Sequence, residues 1–108
     1  MAEVTKTISA ETQYTDWIAP KAINRAGYPG KRLNYSIKDN LTLIEITIQR
    51  TFNGGTTVYD IPTEDFETYI YTVDTEGYIE DYEDLVQYRI GCKTSGFTSG
   101  TCKLRLGA

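Results

Sequence analysis

Leu41–Ile61 reads LTLIEITIQRTFNGGTTVYDI, and the fold class follows from its spacing. Ile44, Ile46 and Ile48 alternate with Glu45, Thr47 and Gln49. A period of two places the isoleucines on one face of a strand and the polar residues on the other. Asn53-Gly54 follows, the kind of dipeptide that tolerates positive φ at both centres of a type I′ turn. A hairpin centred on it sets Phe52 opposite Gly55, Ile48 opposite Tyr59 and Ile46 opposite Ile61. The apolar face then stays continuous, whereas a slip of one residue sets the isoleucines against Asp60 or Pro62.

The alternation recurs outward in both directions. Toward the N-terminus, RLNYSIK (Arg32–Lys38) places Leu33, Tyr35 and Ile37 on one face, with a turn at Asp39-Asn40. AEVTKTIS predicts a strand through Ile8, and YTDWIAP (Tyr14–Pro20) an extended piece that Pro20 ends. Lys21–Lys31 holds two glycines and a proline and reads as a loop. Toward the C-terminus, DFETYIYTV (Asp65–Val73) predicts a strand with Tyr69, Tyr71 and Val73 on one side and Phe66 and Ile70 on the other. Apolar groups on both faces suit a strand covered on both sides, or one with a contact surface. Asp74–Leu85 is acidic and reads as a loop or irregular edge. In Tyr88–Ala108, a hairpin centred at Phe97 pairs Cys92 with Cys102, Ile90 with Leu104 and Tyr88 with Leu106. The count is seven to eight strands with hairpin connections. Residues 1–108 are therefore expected to form one all-β domain, an antiparallel β-sandwich of immunoglobulin-like or jelly-roll type.

Charge and composition narrow the function. The chain has 15 acidic and 11 basic residues, a net of −4, and no histidine. An acidic chain without a basic stripe is repelled by phosphate backbones, so nucleic acid is not an expected partner. Without histidine there is no Ser-His-Asp or Cys-His catalytic unit and most zinc sites are excluded, though not a carboxylate-only enzyme; neither an enzyme nor a metal or other cofactor is expected. No run approaches the roughly 20 apolar residues that cross a bilayer, so no membrane partner is expected. The N-terminal residues lack a basic region followed by an apolar one, which predicts synthesis and retention in a cytoplasm. Nine tyrosines stand against three phenylalanines and one tryptophan. Tyrosine suits half-buried sheet faces and interfaces, because its body is apolar and its tip stays wet.

Several candidate sites each have a plain structural alternative. Opposed Cys92 and Cys102 are compatible with a disulfide, but without an export signal the simpler expectation is two small core-filling thiols. The acids from Asp74 to Asp84 lack the spacing of a calcium loop and read as a solvated edge. Fifteen carboxylates guarantee some pair at any separation, so they do not argue for a glycosidase. Trp17 and Tyr14, or Tyr69 and Tyr71, are candidates for a sugar-stacking platform. The preferred expectation for Trp17 is a plug in the core.

Three stretches, TDWI, ITIQRTFNGGTTVYDI and YRIGCKTSGFTSGTCKLRL, together resemble a group of small tailed-bacteriophage virion proteins. That group has a tryptophan, a strand entering a QRS-x-D-GG-TW-x-V hairpin, and a closing YRIG-x-KTG-x-(Y/F)-TSGT-x-x-x-RL segment. The matching positions include Gln49, Arg50, Gly54, Gly55, Tyr88, Arg89, Gly91, Thr98–Thr101 and Arg105-Leu106. Asn53, Val58, Cys92 and Cys102 depart from the pattern, as does the Lys21–Lys31 loop. The resemblance implies a non-enzymatic structural protein, a decoration or cement protein on the capsid surface of the virion, made in the host cytoplasm. Its implied partner is the major capsid protein, with self-association into a homo-oligomer. The expected contacts are Gly27, Tyr28 and Pro29 in the loop, with Tyr69, Tyr71 and Phe97. A tail or head-fibre component and a carbohydrate-binding module are the alternatives.

Overall fold

The computed structural model describes residues 3–23, 30–63, 68–83 and 85–108. Within them the chain forms nine strands: β1 Glu3–Ile8, β2 Gln13–Tyr14, β3 Lys21–Ala22, β4 Lys31–Lys38, β5 Thr47–Thr51, β6 Tyr59–Asp60, β7 Thr75–Asp81, β8 Gln87–Cys92 and β9 Cys102–Gly107. Three of the nine are only two residues long, which explains the shorter count expected from the sequence. All pairings between strands are antiparallel, in two sheets. The first runs β1-β9-β4-β7, with β3 pairing β4 on the β9 side, near the start of that strand. The second runs β2-β8-β5-β6. The fold is an all-β sandwich.

The core lies between the sheets. Leu33, Tyr35 and Ile37 of β4 and Leu104 and Leu106 of β9 enter from one side. Ile46, Ile48, Tyr88 and Ile90 enter from the other. Each fully buried aliphatic side chain contributes about 1.5–3 kcal/mol relative to exposure. Ile44, Ile46 and Ile48 are all fully buried, as their alternation requires.

The register differs from expectation in the first hairpin. Gln49 opposes Asp60 and Arg50 opposes Tyr59, so Ile48 rather than Ile46 meets Ile61. The displacement is two residues, and an even displacement preserves the faces. Positive φ falls on Gly54 (72°) and Gly55 (98°), not on Asn53-Gly54. A longer loop replaces the two-residue turn because buried Thr51 braces it. Its hydroxyl donates to the Thr57 carbonyl at 2.7 Å and accepts the Gly55 amide at 2.9 Å. Asn53 Oδ1 accepts the Thr57 amide at 2.9 Å.

The closing segment is not a hairpin. β8 pairs with β2 and β5, while β9 pairs with β1 and β4. The two arms face each other across the core instead of lying side by side. Cys92 and Cys102 are both buried and free, and they enter from opposite sheets. Consecutive strands pair directly only at β3–β4 and β5–β6. Two other expectations exchange places. Of the strand expected over residues 65–73, residues 65–67 lie outside the described residues, and Thr68–Val73 makes a single bridge, Tyr71 to Ile46. The acidic run supplies β7, a seven-residue strand paired with residues 31–37 of β4.

Candidate functional site

The sandwich is open where β6 and β7 lie at the ends of their sheets. There a cleft of about 510 Å³ is lined by five of the nine tyrosines: Tyr35, Tyr59, Tyr71, Tyr78 and Tyr88. Tyr35, in the core, and Tyr71, packed against it, meet as a tilted pair with ring centres 5.6 Å apart. Tyr59 and Tyr78 are 52% and 57% exposed, so much of each ring is open to solvent. Ile61 and Ile79 add apolar surface, and Arg50, Asp60 and Glu80 add charge.

Each charged group of the cleft has a counterpart. Arg32 meets Glu80 at 2.8 Å and lies over the Tyr78 ring at 4.4 Å. Lys93 donates to Asp60 at 2.7 Å, and Gln49 Nε2 donates to the other Asp60 oxygen at 2.8 Å. Arg50 meets Asp81 at 3.3 Å, and the Tyr88 hydroxyl donates to the same carboxylate oxygen. Asp81 is only 7% exposed. Burial alone would raise its pKa, but bonds from Tyr88 and the Glu83 and Tyr82 amides, together with the Arg50 charge, hold it below the ordinary carboxylate value. Asp60 is depressed in the same way, with Lys93 and Gln49 outweighing burial. Burial, then the Asp81 bond and charge, drive the Tyr88 phenol upward.

The network continues onto the outer face of the second sheet. Gln49 Oε1 accepts from Arg89 Nε at 2.9 Å. The Arg89 guanidinium lies 3.9 Å from the Tyr14 ring centre and 4.6 Å from that of Trp17. Trp17 is therefore not the core plug expected from the sequence. It is half-buried on the outside, with its indole against Gly55. An arginine stacked on its face and a glycine at its edge supply the contacts that a core would otherwise have given.

A second region lies at the end of the sandwich formed by the loops around residues 39–45, 68–74 and 93–101. The buried Asn40 side chain receives the Ile44 amide and donates to the Ile44 carbonyl, both at 2.8 Å, and reaches the Thr72 carbonyl at 3.3 Å. Asp74 accepts the amides of Asp39 and Asn40. Thr42 donates to the Ser99 carbonyl, and Thr98 donates back to the Thr42 carbonyl at 3.2 Å. This bracing holds Asp39 and Leu43 at φ of 58° each, a conformation unfavourable for leucine. It leaves Leu41 88% exposed and Leu43 58% exposed, with Val73 exposed on the neighbouring loop.

The sequence-predicted contacts fall unevenly. Tyr69 is exposed beside this end, near Gly96. Tyr71 and Phe97 are half-buried and packed on the core. Gly27, Tyr28 and Pro29 lie outside the described residues. Tyr69, Tyr71 and Phe97 belong to loops that meet at one end, whereas Lys31 begins β4 at its other end. The acids diverge: Glu76 pairs with Lys38, Glu80 with Arg32, and Asp81 turns inward. Among the described residues, no three His, Cys, Asp or Glu side chains gather where a metal ion would be held.

Sequence reasoning missed Leu41 and Leu43, whose short span carries no local signal of exposure. It also missed the cleft, whose tyrosines come from five separated segments. No protein-family model, curated protein or solved structure matches this chain.

Proposed function

We propose that this chain is a non-enzymatic structural protein of a tailed-bacteriophage virion, a decoration protein that binds the major capsid protein on the outside of the mature head. The resemblance of TDWI, ITIQRTFNGGTTVYDI and YRIGCKTSGFTSGTCKLRL carries this reading. The braced loop end supports it physically. A decoration protein needs apolar anchors held rigid before contact, because ordering them on binding would cost affinity. Leu41 and Leu43 fit that requirement, with Tyr69 and Val73 beside them and the charged groups Asp39, Asp74 and Lys103 in a polar rim.

Co-sedimentation of the purified chain with expanded and precursor heads of the encoding phage tests the reading. Saturable binding to expanded heads is expected. A Leu41→Asp/Leu43→Asp variant should lose that binding, by about 2 kcal/mol or more, with an unchanged melting temperature. Absence of binding to either form would overturn decoration and leave attachment to a tail or head fibre as the better account.

A further inference from the structure

We propose that the cleft between β6 and β7 is a binding site for a neutral glycan, separate from the loop end assigned above to capsid docking. Its volume of about 510 Å³ falls within the usual range for small-ligand sites. Pyranose rings present apolar C–H faces and a rim of hydroxyls. A matching site needs open aromatic faces with oriented donors and acceptors beside them. Tyr59 from the second sheet and Tyr78 from the first supply half-exposed rings, Tyr78 through the face that Arg32 leaves uncovered.

The polar groups beside those rings are already oriented. Asp60 is fixed by Gln49 and Lys93, and Glu80 by Arg32. Arg50 is fixed by Asp81, and its buried Nε has no acceptor. A group held by its neighbours loses little entropy on binding. The three cations and three carboxylates match pairwise, Arg32 with Glu80, Lys93 with Asp60 and Arg50 with Asp81. The cleft thus offers no net charge to an ion but many directed hydrogen-bonding positions. That balance selects a neutral polyhydroxylated ligand over an anionic one.

The test is an amide chemical-shift titration of the intact chain with maltotriose, cellotriose, triacetylchitotriose, 3′-sialyllactose and decaproline. At least one neutral trisaccharide should give saturable shifts centred on Tyr59, Asp60, Tyr78 and Ile79. Tyr59→Ala and Tyr78→Ala should each weaken that binding about tenfold, the loss of one ring contact. Both side chains are more than half exposed, so the melting temperatures should stay near wild type. Silence from all three neutral sugars would overturn the proposal. So would shifts located away from the cleft, or stronger binding of 3′-sialyllactose or decaproline. Capsid binding is read separately through Leu41 and Leu43, so either proposal can fail alone.

Discussion

At the scale of single residues, the polar groups behind the cleft set how the protein responds to acid. Asp81 is buried with a depressed pKa, so the stability it provides is present above the ordinary carboxylate value of 3.8 and is lost as pH falls through the depressed one. Asp81→Asn should cost about 3 kcal/mol at neutral pH, since it leaves Arg50 and Tyr88 without their anion. Urea unfolding at a series of pH values should show the gap from wild type closing below pH 3.8. A gap that persisted in strong acid would refute the electrostatic assignment. The thiols respond in the opposite direction: burial pushes Cys102 up to about 11, with Cys92 and Asp74 adding to it. Burial raises Cys92 too, helped by Glu11 and Glu45. Both should resist a thiol reagent at neutral pH in the native state and react together once denaturant unfolds the chain. Their inward direction was legible from alternation with Ile90 and Leu104. Their placement in opposite sheets was not, because alternation records which face a residue takes and not which strand lies beside it.

At the scale of elements, close approach and bracing decide what pairs. β2 crosses Gly91 so tightly that an added Cβ would lie 2.2 Å from the Gln13 carbonyl oxygen. Gly91→Ala should therefore displace β2, release the Tyr14–Arg89 contact and shift Trp17 emission to the red. Unchanged emission and stability would show that β2 can yield at little cost. The β5–β6 loop teaches a related lesson. Asn53-Gly54 is a strong turn signal, yet Thr51, whose hydroxyl binds across the loop, selects a wider connection. The strand faces survive because the displacement is even. Alternating β1, β4, β5, β8 and β9 could be read directly from the chain. β7 could not, since Glu76 and Glu80 look like loop residues until Lys38 and Arg32 of the neighbouring strand stand beside them.

At the scale of the whole molecule, the connections make the two sheets interdependent. The chain passes between sheets at β1–β2, β2–β3, β4–β5, β6–β7, β7–β8 and β8–β9. The last strand lies between the first strand and β4, with Glu3 opposite Gly107 and Ile8 opposite Cys102. Deleting Cys102–Ala108 should abolish folding, since it removes the centre of a sheet along with Leu104 and Leu106 from the core. In the intact chain, Trp17 emission and amide exchange in β4 and β9 should report one cooperative transition. Separate midpoints would mean that the sheets unfold independently.

The amino-acid sequence by itself determined that this is an all-β chain and which residues of β4, β5, β8 and β9 face inward, because a period of two is a local property of the backbone. Its acidic balance and lack of histidine are likewise facts of composition. Tertiary structure alone decided the sheet partners, the outward place of Trp17, the cleft and the exposed leucines. Each of these depends on which distant segments meet. A cleft drawn from Tyr35, Tyr59, Tyr71, Tyr78 and Tyr88 exists only once β6 and β7 stand at the same open side of the sandwich. Leu41 and Leu43 are directed outward only because Asn40, Asp74, the Thr98 hydroxyl and the Ser99 carbonyl hold their loop in a shape that leucine would not adopt alone.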